Sequence, residues 1–149
     1  LPRLHAERLA REKARAAASP GTYVLAADTV VAVGRRILGK AETRDQAARC
    51  LALLSGRRHH VFTAVALVCP DGGESARLSN SIVTFARLTE AQQRAYLAGG
   101  EWQGKAGGYA IQGFAESFVR ALSGSFSGVV GLPLFETTQL LRGSGFLRP

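Results

Sequence analysis

Of the three aspartates in this chain, two explain themselves locally: Asp45 falls in the first turn of a helix and Asp71 in a turn. Asp28 does not. It interrupts the apolar run from Val24 to Val33, and an ionised carboxylate withdrawn from water is costly unless it meets a cation, a metal or several hydrogen-bond donors. Lys40, in Leu38-Gly39-Lys40, follows a turn that would fold it back beside the strand bearing Asp28. The two would form either a plain salt bridge or a site in which Lys40 neutralises phosphate oxygens while Asp28 binds a metal or activates water. A strand-end aspartate that caps a neighbouring loop is the structural alternative for Asp28. Lys13, in Ala10-Arg11-Glu12-Lys13-Ala14, reads by itself as a solvated helix charge.

A second stretch with chemical potential runs from Gly104 to Gly113, where four glycines surround Lys105, Tyr109 and Gln112. Such a segment is a loop that lets backbone approach a partner closely. It is neither a Walker loop nor a dinucleotide fingerprint, since the required Gly-Lys-Ser/Thr ending and the strand-to-helix placement are both missing. His59-His60 has no third ligand at a telling spacing and reads as a strand-edge pair with partial burial. Cys50 and Cys69 stand alone, so neither a zinc site nor a disulfide framework is expected, and Cys50 reads as core filler on a helix stripe.

The elements that must position these residues follow from periodicity and punctuation. Residues 3 to 18 carry apolar positions at helical spacing until Ser19-Pro20-Gly21. Tyr23 to Val33 is apolar on both faces, as a central strand would be, and Gly34-Arg35-Arg36 turns it into a short partner at Ile37-Leu38. Thr43 with Gln46 forms a capping box for a helix ending at Ser55-Gly56, and Thr89 with Gln92 a second, closed by Gly99-Gly100. Between them, His60 to Val68 predicts a strand covered on both sides, turned at Pro70-Asp71-Gly72-Gly73 into another near Ser79 to Arg87. A strand is expected over Phe114 to Leu122, a loop over Ser123 to Ser127, and a last helix with Pro133 in its first turn. One sheet with interspersed helices makes the class α/β or mixed α+β, in a single domain over 1–149.

Composition bounds the rest. With 149 residues and 46% hydrophobic content, the chain can bury a real core. Its apolar runs are too short to span a bilayer and no leader opens it, so a cytoplasmic protein without membrane contact is expected. No methionine occurs, even at position 1, which reads as a piece of a longer protein with an N-terminal segment missing. A net charge of +8 favours anionic partners. Aromatics make up only 7% and form no stacking platform, so nucleic acid is not the expected partner. Sixteen of the 19 basic residues are arginine, and the exceptions are Lys13, Lys40 and Lys105. Lysine is a compact point charge suited to phosphate where a guanidinium is too large.

Taken in order, Ala10-Arg11-Glu12-Lys13-Ala14, Ala27-Asp28-Thr29-Val30-Val31, Leu38-Gly39-Lys40, Leu54-Ser55-Gly56-Arg57 with His60-Val61-Phe62-Thr63, Lys105 to Gly113, and Val130-Gly131-Leu132-Pro133-Leu134 resemble the motifs of the Maf family of nucleotide pyrophosphatases. They extend over nearly the whole chain. The resemblance implies an inosine-triphosphatase-like fold with an elongated, mixed central sheet and two lobes with a cleft, and frequent homodimers. It also implies hydrolysis of nucleoside triphosphates to monophosphate and pyrophosphate with a divalent cation, magnesium or manganese. By the same resemblance Asp28 matches the family's proton acceptor, although its chemistry would also suit a metal ligand, and Lys13 and Lys40 match cleft lysines near the phosphates, with Lys105 a further phosphate-binding residue. Thr29 and Gln112 match the specificity positions of the branch acting on dTTP and UTP. A glutamine amide offers a donor and an acceptor to the uracil or thymine edge.

Three positions depart from the family pattern: Ala41 replaces a usual proline, Ala64 a usual glycine, and Gly104 an aspartate before the lysine. The family's N-terminal strand and Ser-x-Ser-Pro-Arg-Arg-like phosphate loop have no counterpart before Leu1. The 149 residues alone are therefore expected to be weakly active or inactive. Two other readings compete with the enzyme. One is a catalytically impaired module that binds nucleotide or nucleic acid through its basic surface; the other is an interaction protein of cell division, which no residue here demonstrates.

Overall fold

A computed structural model describes residues 1–148, so Pro149, the last residue of the expected domain, lies outside the described residues. The chain forms helix α1 (Pro2–Ala17), strands β1 (Val24–Val33) and β2 (Arg36–Leu38), helix α2 (Arg44–Leu54), strands β3 (Arg58–Val68) and β4 (Glu74–Phe85), and helix α3 (Glu90–Gly99). Strand β5 (Val119–Ser123) and helices α4 (Phe126–Val130) and α5 (Leu134–Gly143) follow. One five-stranded sheet in the order β2-β1-β3-β4-β5 organises them. No helix is long and apolar enough to cross a membrane among the described residues.

Every pairing among the described strands is antiparallel, which corrects the expectation of a mixed sheet. The β1–β2 and β3–β4 connections are tight hairpins, and a hairpin imposes antiparallel pairing. β3, the middle strand, is buried from Val61 to Val68, as its unbroken apolar run predicts. β1 is less covered than its composition suggests, because β2 pairs only with Val31 to Val33 and leaves Val24 to Thr29 without a neighbour on that side.

Strand alternation divides the core between two faces. On one, Ala6, Ala10 and Ala14 of α1 lie against Val30, Ala32, Phe62, Ala64, Ala66 and Val68. Alanine at every fourth helical position brings the helix backbone close to the sheet, so larger side chains have nowhere to go. We expect Ala10→Leu to cost about 1–3 kcal/mol by overpacking, measured as a fall in urea midpoint. The opposite face carries the larger core, in which Val31, Val61, Val83 and Phe85 meet α2 and α3 through Leu51, Leu54, Tyr96 and Leu97. α5 closes the same face through Leu140 on Val65 and Leu67.

Both expected capping boxes form, with Thr43 and Gln46, and Thr89 and Gln92, bonded reciprocally. Elsewhere the local expectations need correction. β4 begins at Glu74 rather than near Ser79, because its polar first half still pairs with buried β3 and because Arg11 and Arg15 of α1 reach Glu74 at 2.6 Å. These guanidinium groups hold the Glu74 carboxyl well below its ordinary range, at about 2.

The strand expected over Phe114 to Leu122 starts only at Val119. Phe114–Phe118 is instead a 3-10 turn whose first amide donates to the Glu101 carboxylate at 3.1 Å. Within the expected loop after Ser123, Ser125 caps α4 by accepting from the Gly128 amide at 2.9 Å. That helix is too short to show a period in sequence. Pro133 stands one residue before α5, at its N-cap.

Candidate active site

A cavity of about 320 Å³ opens at the margin of β1 beyond the end of β2. Its walls include Lys13, Asp28, Thr29, Lys40, Lys105 and Gln112, so the six residues matched to family site positions meet in one place. Asp28 and Thr29 reach it from opposite faces of the sheet. Asp28 shares the face covered by α1, while Thr29 shares the face of Val31.

α1 delivers Lys13, whose ammonium donates to Asp28 Oδ1 at 2.5 Å and to the Ala27 carbonyl at 3.3 Å. The cation facing Asp28 is therefore Lys13; the plain Asp28–Lys40 salt bridge, one of the two alternatives, does not form, and Lys13 is not a merely solvated charge. The Asp28 side chain is only 10% exposed, so the pair satisfies a largely desolvated carboxylate. Lys13 occupies Oδ1, which leaves Oδ2 as the carboxylate atom available to a ligand.

Lys40 and Lys105 arrive together. Lys40 bridges Ala106 in antiparallel fashion, with the Ala41 amide bonded to the Lys105 carbonyl at 3.1 Å, Gly104 to the Ala41 carbonyl at 2.8 Å, and Gly107 to the Gly39 carbonyl at 3.1 Å. This backbone zipper fixes two exposed lysines in the cavity lining. The departures from the family pattern fit their places: Ala41 is buried in the core, Ala64 is buried under α1 directly opposite Asp28, and Gly104 has φ +71° with open space around it.

Thr29 has less freedom than a specificity role suggests. Thr63 donates its hydroxyl proton to the Gly128 carbonyl at 2.6 Å, so the 2.9 Å contact between the two threonines has Thr29 as donor. With its proton committed to Thr63, the Thr29 hydroxyl has only acceptor capacity left for a ligand. Sequence reasoning missed Thr63, which is buried behind Thr29, and three further parts of the cavity lining, Ala27 with its carbonyl, Val129 and Val130. Only the β1–β3 register, with Thr29 opposite Thr63, reveals the first of these.

The glycine-rich loop is seated on the core from below. A Cβ on Gly107, at φ +68°, would come within 2.9 Å of Val31, and Gly108 lies against Cys50 and Ala41. Tyr96 donates to the Gly108 carbonyl at 2.9 Å. His59, expected to be half-exposed at a strand edge, is fully buried in the middle strand and meets the Tyr109 hydroxyl at 2.6 Å. Its face of β3 is the one that α2 and α3 cover; His60, on the other face, stacks on Phe62.

Burial holds the His59 imidazole neutral, lowering its pKa from 6.5 to about 4. Below pH 6.5 the unfolded chain takes up a proton that the folded chain refuses, so stability falls with pH through this window. The expected loss at pH 5 relative to pH 7 is about 2 kcal/mol. His59→Phe should flatten that slope in urea titrations; an unchanged slope would place the acid sensitivity elsewhere.

No cluster of three His, Cys, Asp or Glu side chains forms a metal cage among the described residues. A family model described as Maf-like protein matches residues 2–144. Among curated proteins, the chain is 66% identical to a dTTP/UTP pyrophosphatase of Granulibacter bethesdensis over 83% of its own length. It is 64% identical to one of Novosphingobium aromaticivorans and 58% identical to one of Caulobacter vibrioides, each over 97% of its length. It spans 58% of the first of these proteins, 73% of the second and 76% of the third.

Proposed function

This chain belongs to the Maf family, and from that premise we propose that it is a dTTP/UTP pyrophosphatase whose reaction takes place in the cavity beside Asp28. The observation that carries the assignment of the site is the convergence of Asp28, Gln112 and all three lysines of an arginine-rich chain on one cavity. The family's inosine-triphosphatase-like architecture, an elongated sheet and two lobes with a cleft, belongs to the same proposal, with this cavity as part of the cleft.

Water attacks the α-phosphorus and pyrophosphate leaves, giving the nucleoside monophosphate. Asp28 accepts the proton of the attacking water, or holds the cation. Lys13 stays against Oδ1 and keeps the carboxylate aimed. Lys40 and Lys105, fixed by the zipper between residues 39–41 and 104–107, neutralise charge on the phosphate oxygens as the leaving group departs. Positioning and electrostatics supply most of the acceleration, as is general for phosphoryl chemistry.

The donor set suits magnesium or manganese. These ions are commonly held by one or two carboxylates together with substrate phosphates and water, and Asp28 Oδ2 is the protein oxygen at hand. Such a cation would neutralise phosphate charge. Gln112 faces the cavity from the loop and reads the base through its amide, while Thr29 forms part of the wall with its hydroxyl proton held by Thr63.

With magnesium or manganese present, the full-length product of this reading frame should release pyrophosphate from dTTP and UTP about tenfold or more faster than from ATP or GTP, a difference of roughly 1.4 kcal/mol or more. Orthophosphate as the product, or a preference for purines, would sink the assignment. The homodimer implied by the family resemblance is part of the proposal, and sedimentation at one or two chain masses decides it.

A further inference from the structure

His59 is a polar side chain with no polar task of its own. It is fully buried between Phe85 and Tyr109, whose rings meet it edge-on at 5.2 and 5.5 Å. Nε2 pairs with the Tyr109 hydroxyl, and Nδ1 has no partner. The tautomer follows from counting orphaned groups. If Tyr109 donates to Nε2, a single donor, Nδ1–H, is left unpaired; if Nε2–H donates to Tyr109, both the phenol proton and the Nδ1 lone pair are left unpaired. Tyr109 is therefore the donor.

An imidazole that leaves one nitrogen unsatisfied is a poor way to stabilise a core, where an apolar ring of similar volume would avoid the desolvation cost. What the imidazole adds is direction. Tyr109 is the residue that joins this buried acceptor to the substrate cavity, whose wall it forms between Lys105 and Gln112. Nearby, Tyr96 from α3 fixes the Gly108 carbonyl and Glu101 accepts from the amide of Phe114, two residues past Gln112. Of these three bonds, that from His59 is the one that reaches a side chain of the cavity wall.

We propose that His59 is a positioning residue for base recognition, acting through the Tyr109 hydroxyl to hold the Lys105–Gly113 loop so that Gln112 faces the base edge. The inference rests on the reading of this cavity as the triphosphate site. Truncating either side of the bond frees the loop without touching Asp28 or Lys13.

The test compares Tyr109→Phe, His59→Phe and His59→Gln in the full-length product. Glutamine can place an amide oxygen near the position of Nε2 and so keep an acceptor for the phenol. In both phenylalanine variants the protected amides of Gly107, Gly108 and Gly113 should exchange with deuterium about tenfold faster, a local loss of about 1.4 kcal/mol, while amides of β1 and β3 keep their rates. KM for dTTP should rise about tenfold with a smaller change in kcat, and the preference for dTTP over dCTP should fall by a similar factor. His59→Gln should restore both. Unchanged loop exchange, exchange raised equally throughout the sheet, or an intact preference for dTTP would each overturn the proposal. Failure of the wild-type protein to hydrolyse dTTP would sink the substrate assignment instead, leaving the exchange rates to decide whether His59 positions the loop.

Discussion

Replacing Asp28 with asparagine is expected to lower kcat/KM on dTTP by about 10²- to 10⁴-fold, the equivalent of roughly 3–5 kcal/mol of transition-state stabilisation. The substitution is nearly isosteric, and its amide oxygen can still accept from the Lys13 ammonium, so the anchor between α1 and β1 survives. What disappears is the charge and, with it, the ability to take a proton or bind a cation at Oδ2. Circular dichroism and the urea midpoint should stay close to wild type. Raising the magnesium or manganese concentration separates the two roles: recovery of rate marks Asp28 as a ligand, and a rate that stays low at saturating metal marks it as the base. A variant turning over at the wild-type rate would remove Asp28 from the mechanism.

Gly107→Ala should have the next largest effect. An added methyl would stand 2.9 Å from a Val31 methyl group and 3.1 Å from its Cβ, at a residue held at φ +68°. Overpacking costs about 1–3 kcal/mol, and the left-handed backbone adds roughly 1 kcal/mol for a residue with a Cβ. The backbone can escape only by lifting the loop, which would pull the Gly107 amide from the Gly39 carbonyl and part Lys105 from Lys40. Activity should therefore fall together with stability. Val31→Ala removes the two Val31 methyl groups, so the double variant should recover part of both losses. A Gly107→Ala protein with wild-type stability and rate would mean that the loop is not seated on Val31.

Much of the site was legible in the sequence because its residues break local rules. Asp28 interrupts an apolar strand, three lysines stand out among arginines, and four glycines crowd into the ten residues from Gly104 to Gly113. Each anomaly is one-dimensional and needs no partner to be seen. The capping boxes were legible for the same reason, since both bonding groups lie within four residues.

What escaped depends on contacts between distant segments. The choice of Lys13 over Lys40 as the partner of Asp28 is set by α1 lying across β1, which no spacing encodes. The Thr29–Thr63–Gly128 chain needs the β1–β3 register and the placement of α4 together. His59-His60 reads as a strand-edge pair because no third ligand stands at a telling spacing. Strand alternation in fact sends His59 to the large core and His60 to the α1 side. The Phe114–Phe118 turn displaced an expected strand because Glu101, thirteen residues earlier, caps its first amide.

The central claim is that this cavity directs water onto the α-phosphorus of a pyrimidine triphosphate. Hydrolysis of dTTP in ¹⁸O-labelled water by the full-length product tests it most directly, with the label located by mass spectrometry. One labelled oxygen in dTMP, and none in the pyrophosphate released with it, is the predicted result. Label in pyrophosphate, or orthophosphate and dTDP as products, would contradict it.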